Sequence, residues 1–568
     1  MRCGLLLGLA CADMYDVVVN SRVAPTNCKS GCAKWSNLAG DGCKRSQGDV
    51  DKKWTKGKAP GSSGRNCAMP GKDPGTYGDW CYCRNSNSTD WGYCLASNEI
   101  VPEQINLQMA GPTTMTVNFV TFATSGEPPV AQLSESPTLD SPKEYTGVTH
   151  SYVETGSQKR KYHMHFVKLP RLKERTKYYY RVAAATEGVW SDTYSFTSLY
   201  TGDETRVAIF GDMGVYQYNN MGNMLGDIEN GMIDAVVHLG DHAYNIAEED
   251  GRRGDGYMNA YQQLLTQVPW IPVIGNHEYY EGDMFQRFLN MSEGVLPGSD
   301  GSDARGASAL HALLTASTVY GRVQKRKHHP EVNGAHSATS RFYAEDLGLI
   351  HFAAIDFSPY YFADTEAKWK APQLKWLEAD LAAVDRTKTP WVVLMGHYPL
   401  YCSSITLGAE HEDGSGSSEE LGTFKGCTGT GEGTVEESRA DLEPLMLKYG
   451  VDMFIAGHEH NYESIWPVAK GKVVSKSFTN PAAPVHFVAG AGGAPALDKF
   501  GDSGPWDRKR VSEWSYGRLV AKNATTLIYT QVLNSNGSVA DEVVVTRTKH
   551  EPYWETLAAL YPEAQQIV

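Results

Sequence analysis

Cysteine is almost absent from most of this chain. Nine of its eleven cysteines fall within the first 94 residues, and only Cys402 and Cys427 follow. Long apolar runs are missing as well. None reaches the ~18 residues that cross a bilayer, so no membrane span is expected. The C-terminus carries no hydrophobic tail of the kind that signals a lipid anchor. Positive charge is in deficit, with a net charge of −14. That balance argues against nucleic acid or an anionic membrane as the main partner. An anionic substrate would have to be drawn in by local charge, not by the field of the whole protein.

What is present suffices for several cores. The chain has 568 residues and 41% hydrophobic content, a length that suits about three or four domains. Arg2, the apolar Leu5–Leu9 stretch and Ala10-Cys11-Ala12 read as a short secretory signal over residues 1–12; a buried first strand is the other reading. Sequons at Asn87, Asn290, Asn523 and Asn536 fit a glycosylated exterior. The expected location is secreted and extracellular, or vacuolar-lysosomal.

Residues 13–96 form a compositional island. Cys28, Cys32, Cys43, Cys67, Cys81, Cys83 and Cys94 sit among Gly, Ser, Lys and Asn with few aliphatic residues. Such a segment buries too little apolar surface to fold on that basis, and covalent staples are the expected substitute. Disulfides suit an exported chain better than zinc, whose standard spacings are missing. Seven is odd, so one thiol is free or pairs elsewhere. Trp35, Trp54, Trp80, Tyr82, Trp91 and Tyr93 either form a mini-core or stack on sugars, which would give this Cys-rich module a glycan contact.

From 98 to 199 the pattern alternates. Met115, Val117 and Phe119 fit a half-buried strand, and Tyr162/Met164/Phe166, Tyr178/Tyr180/Val182 and Tyr194/Phe196 repeat it. Regular strands without a helical period predict an antiparallel sandwich. His163 and His165 share a strand face there and read as structural. From 204 to 550 strands alternate with helices. Leu374, Leu377 and Leu381 follow Pro372 at helical spacing, and Leu442, Leu445 and Met446 precede Gly450, a natural helix stop. Residues 298–340 read as a surface insertion, and 551–568 as a C-terminal tail.

Five polar motifs organise this last region. They are Gly211-Asp212-Met213-Gly214, Gly240-Asp241-His242-Ala243-Tyr244, Gly275-Asn276-His277-Glu278, Gly396-His397 and Gly457-His458-Glu459-His460. Each follows an apolar run: Val207–Phe210, Ala235–Leu239, Trp270–Ile274, Trp391–Met395 and Val451–Ala456. Such runs suggest buried strands of a mostly parallel sheet, with the motifs on turns at their carboxyl ends. The preceding glycines would let the backbone turn sharply. His458 and His460 would lie on one side of an extended segment. Carboxylate, phenolate, amide oxygen and imidazole together suit Fe, Mn and Zn. Seven donors are too many for one tetrahedral ion and fit two ions sharing a carboxylate, an arrangement suited to phosphoryl displacement.

The ordered set resembles the metallophosphoesterase superfamily and, through Tyr244 three residues after Asp241, the large purple acid phosphatases. The resemblance covers about residues 98–550. It implies a fibronectin-III-like β-sandwich over 98–199, entered at Pro102-Glu103-Gln104, and an α/β metallophosphoesterase sandwich over 204–550. By resemblance one metal takes Asp212, Tyr244 and His460, the second takes Asn276, His397 and His458, and Asp241 bridges them. His277 contacts the phosphate, while His238 and His242 pack or support. The implied cofactors are Fe(III), favoured by the phenolate, and one divalent metal (Zn, Fe or Mn). The implied activity is acid hydrolysis of small phosphate monoesters by a metal-bound hydroxide. Diesters, nucleotides or phytate on the same site are an alternative substrate class. A wall- or glycan-binding surface protein with a vestigial site is an alternative of another kind. The loop after His397 lacks the further histidines of plant members, apart from an unplaced His411, and Cys402 with Cys427 is expected to close it by a disulfide. Glu278 follows His277 as in long-form members. Oligomeric state is not legible.

Overall fold

The computed structural model describes residues 101–280, 285–288, 341–405 and 434–561, less 111–112, 187, 215–218, 249, 286 and 502, plus short strands at 80–82 and 91–93. Those two strands, Trp80–Tyr82 and Trp91–Tyr93, pair antiparallel. The rest of the cysteine-rich island, the insertion at 298–340, His411 and Cys427 lie outside the described residues.

Two large sheets carry the structure. The first has ten strands, in the order Val539–Thr546, Thr526–Leu533, Ser515–Asn523, Thr205–Phe210, Ala235–His238, Pro269–Pro272, Glu103–Met109, Thr114–Thr121, Lys161–Pro170 and Val148–Val153. The second has seven, in the order Tyr343–Leu347, Ile350–Ala354, Trp391–Gly396, Met453–Ala456, Val485–Ala489, Tyr462–Ile465 and Asp507–Val511. The expectation of one mostly parallel sheet is therefore corrected. The first three motif strands run parallel in one sheet and the last two run parallel in the other; Glu103–Met109, Ile350–Ala354 and Val485–Ala489 extend these sets in parallel, and apart from Ser515–Asn523 the antiparallel strands lie further out.

Alternation explains why these strands read as continuous apolar runs. Val207 and Ile209 join Val393, Met395 and Ile455 in the core between the sheets. Ala208 and Phe210 face the other way, onto Met221, Met224, Tyr257 and Leu264 of the helices Met221–Glu229 and Arg252–Leu265. Val392 and Leu394 likewise face Trp376, Leu377, Leu381, Leu442 and Met446. Those residues belong to the helices Lys370–Ala383 and Thr434–Lys448, where the sequence pattern places them. Strands covered by helices on one side and a second sheet on the other have no polar face.

The N-terminal strands hold one surprise. A four-stranded sheet, in the order Tyr194–Thr197, Lys177–Ala183, Val130–Ser134 and Lys143–Thr146, packs Tyr180, Val182 and Leu133 against Leu107, Val117 and Val167. That is a β-sandwich, but its second layer is the large sheet itself. Glu103–Met109 pairs with Pro269–Pro272, at Leu107 with Pro269 and Gln108 with Trp270. Thr114–Thr121 is consequently buried on both faces, with Thr116 and Asn118 enclosed, and is not half-buried as its alternation implied. The ten-strand sheet ends in a three-strand meander, and in the stretch read as a C-terminal tail the helix Trp554–Leu560 packs Leu557 onto Leu447 and Ala483.

One buried histidine makes the fold pH-sensitive. His351 bonds Asp346 through Nδ1 at 2.7 Å and Asp380 through Nε2 at 2.9 Å. Burial alone would lower its pKa, but Asp380 and Asp346 outweigh it and hold the imidazole cationic to about 9. Because the unfolded value is near ~6.5, this pairing contributes fully below that pH and is lost as pH rises through about 9. Urea midpoints at pH 5.5 and 9.5 check this: His351→Gln should abolish an alkaline loss on the order of a few kcal/mol.

Candidate metal centre

All five motifs meet at the carboxyl ends of their strands. Asp212, Asp241, Asn276 and His397 are buried, and His458 and His460 are partly so. Donor atoms of Asp241, His397 and His458 lie within 4.8 Å of one another, as do those of Asp212, Asp241 and His460. Asp241 belongs to both clusters. The Asn276 amide oxygen lies 3.0 Å from His397 Nε2 and 3.1 Å from His458 Nδ1. The Tyr244 hydroxyl lies 3.0 Å from His460 Nε2.

The backbone corrects two expectations. The sharp turns are made by the polar residues themselves: Asp212, Asp241, Tyr244 and His458 have φ of 60°, 57°, 52° and 69°. Non-glycine residues in this region are strained, and such strain collects at functional sites. Among the motif glycines Gly240 does turn, with φ of 93°, and the glycines also supply room. A Cβ on Gly457 would strike Asp212 Oδ2, one on Gly275 would strike Asp241 Oδ1, and one on Gly240 would lie 2.6 Å from His397 Nδ1. The His458–His460 stretch is bent and not extended, the strand beginning only at Tyr462. That bend sends the two imidazoles to different clusters.

The donor set fits cations. His397 Nδ1 donates to the Leu239 carbonyl at 2.7 Å and His460 Nδ1 to that of Ala496 at 2.9 Å, which leaves each Nε2 facing inward. Burial and neighbouring imidazoles keep His458 neutral. Asp212 Oδ1 is buried without a hydrogen-bond partner, its nearest ionic neighbour being His460 Nε2 at 3.6 Å. Burial drives the Asp212 carboxyl well above its usual range. Burial opposes ionisation of Asp241 too, but His397 and His277 overcome it and hold that carboxyl well below. His397, which burial would discharge, is held protonated to about 9 by Asp241 and Asp212. A centre that takes up protons to balance buried carboxylates offers the same places to cations.

Several supporting residues were not legible in the sequence. Glu278, noted there only as a long-form marker, accepts the backbone N–H groups of Asp241 at 3.0 Å, His242 at 2.7 Å and Gly275 at 2.7 Å, clamping the second motif to the third. Asp498 accepts His460 N–H at 2.7 Å, and Asn245 Oδ1 lies 2.8 Å from His277 Nδ1. Adjacency to a motif marks Glu278 and Asn245; nothing marks Asp498. His238 and His242 pack ring to ring at 4.0 Å. His242 Nδ1 lies 3.3 Å from Glu278 but outside hydrogen-bond geometry. His163 and His165 are buried far from this centre in sequence and bonded to Ser151, Thr121 and Thr149.

Residues 205–462 match the calcineurin-like phosphoesterase family, 102–198 the purple acid phosphatase N-terminal domain and 483–542 the iron/zinc purple acid phosphatase-like C-terminal family. Acid phosphatase type 7 of Mus musculus is 31% identical over 462 residues, covering 79% of this chain and 91% of its own length. The chain belongs to the purple acid phosphatases. A purple acid phosphatase structure from yellow lupin, Lupinus luteus, shares the fold with a TM-score of 0.57 at 21% identity, covering 83% of this chain and 77% of that one. A relative in Arabidopsis thaliana, 28% identical over 68% of this chain and 58% of its own, is named probable inactive purple acid phosphatase 1. As a purple acid phosphatase this chain is a metallophosphatase with places for a binuclear centre. Among the described residues no helix is long and apolar enough to cross a membrane.

Proposed function

We propose that this chain is an exported acid phosphatase that hydrolyses small phosphate monoesters at a centre of Fe(III) and one divalent metal. Two donor clusters sharing the single carboxylate of Asp241 carry this reading. Since a relative is named inactive, membership alone does not carry activity, and the two clusters that meet at Asp241 are what support it. Asp212, Tyr244 and His460 would hold one ion, Asn276, His397 and His458 the other, with Asp241 between. When bound, such a pair polarises phosphoryl oxygens and activates water.

The chain's own groups do the rest. His277 is partly open to solvent, with its Nε2 3.8 Å from Asp241 Oδ2 and its backbone N–H donating to Asp241 Oδ1 at 2.9 Å. Asn245 fixes its ring from behind. The free edge is placed to donate a proton to the departing alkoxide or to hold a phosphoryl oxygen. Buried strand ends around the carboxylates exclude bulk water and strengthen every charge interaction there.

The test is phosphate release from p-nitrophenyl phosphate against bis(p-nitrophenyl) phosphate. The proposal expects the monoester to be favoured; a preference for the diester would move the reading to the phosphodiesterase class. Export is checked by whether the chain is recovered glycosylated outside the cytosol. For the metal assignment, Tyr244→Phe should abolish the violet phenolate-to-iron absorption and move the acid limb of the pH–rate profile upward. An iron-loaded wild type without that band would remove Tyr244 from the ligand set.

A further inference from the structure

Beside the metal centre stands an aromatic ring that the proposed chemistry does not use. Tyr280 is 42% exposed, and of the exposed large hydrophobic side chains among the described residues only it and Trp554 are aromatic. Its ring meets that of His277 edge-on at 5.4 Å. Its hydroxyl is hydrogen-bonded to the Asn276 side chain. Because the Asn276 oxygen faces His397 and His458, the amide NH₂ is the group left to donate to Tyr280. The ring is also backed. Phe362 meets it edge-on at 6.2 Å and itself stacks on Tyr279 at 4.1 Å and 19°.

A large side chain backed by Phe362 and 42% exposed leaves apolar surface open beside the reaction centre. Such surface at a reaction centre is a recognition feature when a ligand covers it. We propose that Tyr280 is the leaving-group platform of this enzyme, and that it selects aryl phosphate monoesters by stacking on their ring. This rests on the monoesterase reading above. Aromatic rings pack offset or edge-to-face with centroids about 4.5–7 Å apart, and an aryl ester carries its ring one oxygen away from the phosphorus. With the phosphate against His277, that ring arrives at Tyr280. A nucleobase, a whole sugar further out, overshoots it. An alkyl alcohol such as glycerol has no face to offer.

The bond to Asn276 dictates the design of the test, because removing Tyr280 would also disturb a candidate metal donor. Tyr280→Phe keeps the ring and loses the hydroxyl; Tyr280→Leu loses both. Phenyl phosphate, glycerol 2-phosphate and AMP are compared by KM and kcat in both variants and the wild type. Binding of phenylphosphonate and methylphosphonate is measured by calorimetry. From wild type to Tyr280→Phe all substrates should change in parallel. From Tyr280→Phe to Tyr280→Leu, phenyl phosphate KM and phenylphosphonate Kd should rise about tenfold, the order of one lost aromatic stack. Glycerol phosphate, AMP and methylphosphonate should move less than about twofold across that same step. Parallel losses at the Leu step would overturn the platform and leave Tyr280 as a positioning residue for Asn276. A wild type that hydrolyses none of the esters, yet binds phenylphosphonate in a Tyr280-dependent way, would overturn the monoesterase reading and keep the platform. Neither binding nor hydrolysis would overturn both.

Discussion

Asp241→Asn is expected to lower kcat by at least roughly a thousandfold, since several kcal/mol of metal charge act in the transition state and each ~1.4 kcal/mol is a factor of ten. Asp241 alone belongs to both donor clusters, and an amide in its place removes the one negative charge the two ions would share. Metal content should fall below two ions per chain. The fold should persist, because the backbone N–H at this position still reaches Glu278 at 3.0 Å and no hydrophobic contact is lost. Elemental analysis and near-ultraviolet circular dichroism on the same sample separate these effects. A variant that keeps both metals and wild-type turnover would remove Asp241 from the centre.

The second large effect lies where the N-terminal strands meet the catalytic layers. Arg287, fully buried, bonds Asp255 at 2.7 Å and the Tyr162 hydroxyl at 2.9 Å, with Glu154 at 3.9 Å. Asp255 is also paired with Arg160 at 2.7 Å and bonded by Gln104 at 3.0 Å. Tyr162, Glu154, Arg160 and Gln104 come from the N-terminal part, Asp255 and Arg287 from the catalytic part. Removing one member of a buried ion network leaves charges without compensation and costs about 3–5 kcal/mol. Arg287→Met should therefore lower the urea midpoint sharply. Burial already raises the Glu154 pKa against the pull of Arg287, so Glu154→Gln added to Arg287→Met should restore part of the loss. If the double variant is no more stable than Arg287→Met, Glu154 is not the uncompensated charge.

How far residues announce their role depends on whether their partners lie close in sequence. The five motif strands are legible because burial on both faces makes short apolar runs that stop at glycine, as at Val207–Phe210 and Trp391–Met395. The helix Lys370–Ala383 is legible because Leu374, Leu377 and Leu381 keep one spacing. The meeting of Glu103–Met109 with Pro269–Pro272 is not, since pairing across some 160 residues leaves no local mark. For the same reason the alternation of Met115–Val120 suggested one open face that the neighbouring layers cover. The donor residues stand out as polar groups at strand ends, but the groups holding them do not. Asp498 reaches His460 from another loop, and Tyr280 looks like any surface tyrosine until its bond to Asn276 is seen. The motif glycines were legible as necessary, and Gly240 turns with φ of 93° as expected, but the clash of an absent Cβ with a distant carboxylate at Gly275 and Gly457 is a tertiary fact.

The most direct measurement is hydrolysis of p-nitrophenyl phosphate by the full-length purified protein from pH 4 to 8, with metals counted on the same sample. Two ions per chain and a rate that peaks in acid are the result expected of a shared-carboxylate phosphomonoesterase. Two ions per chain with no hydrolysis at any pH would contradict it.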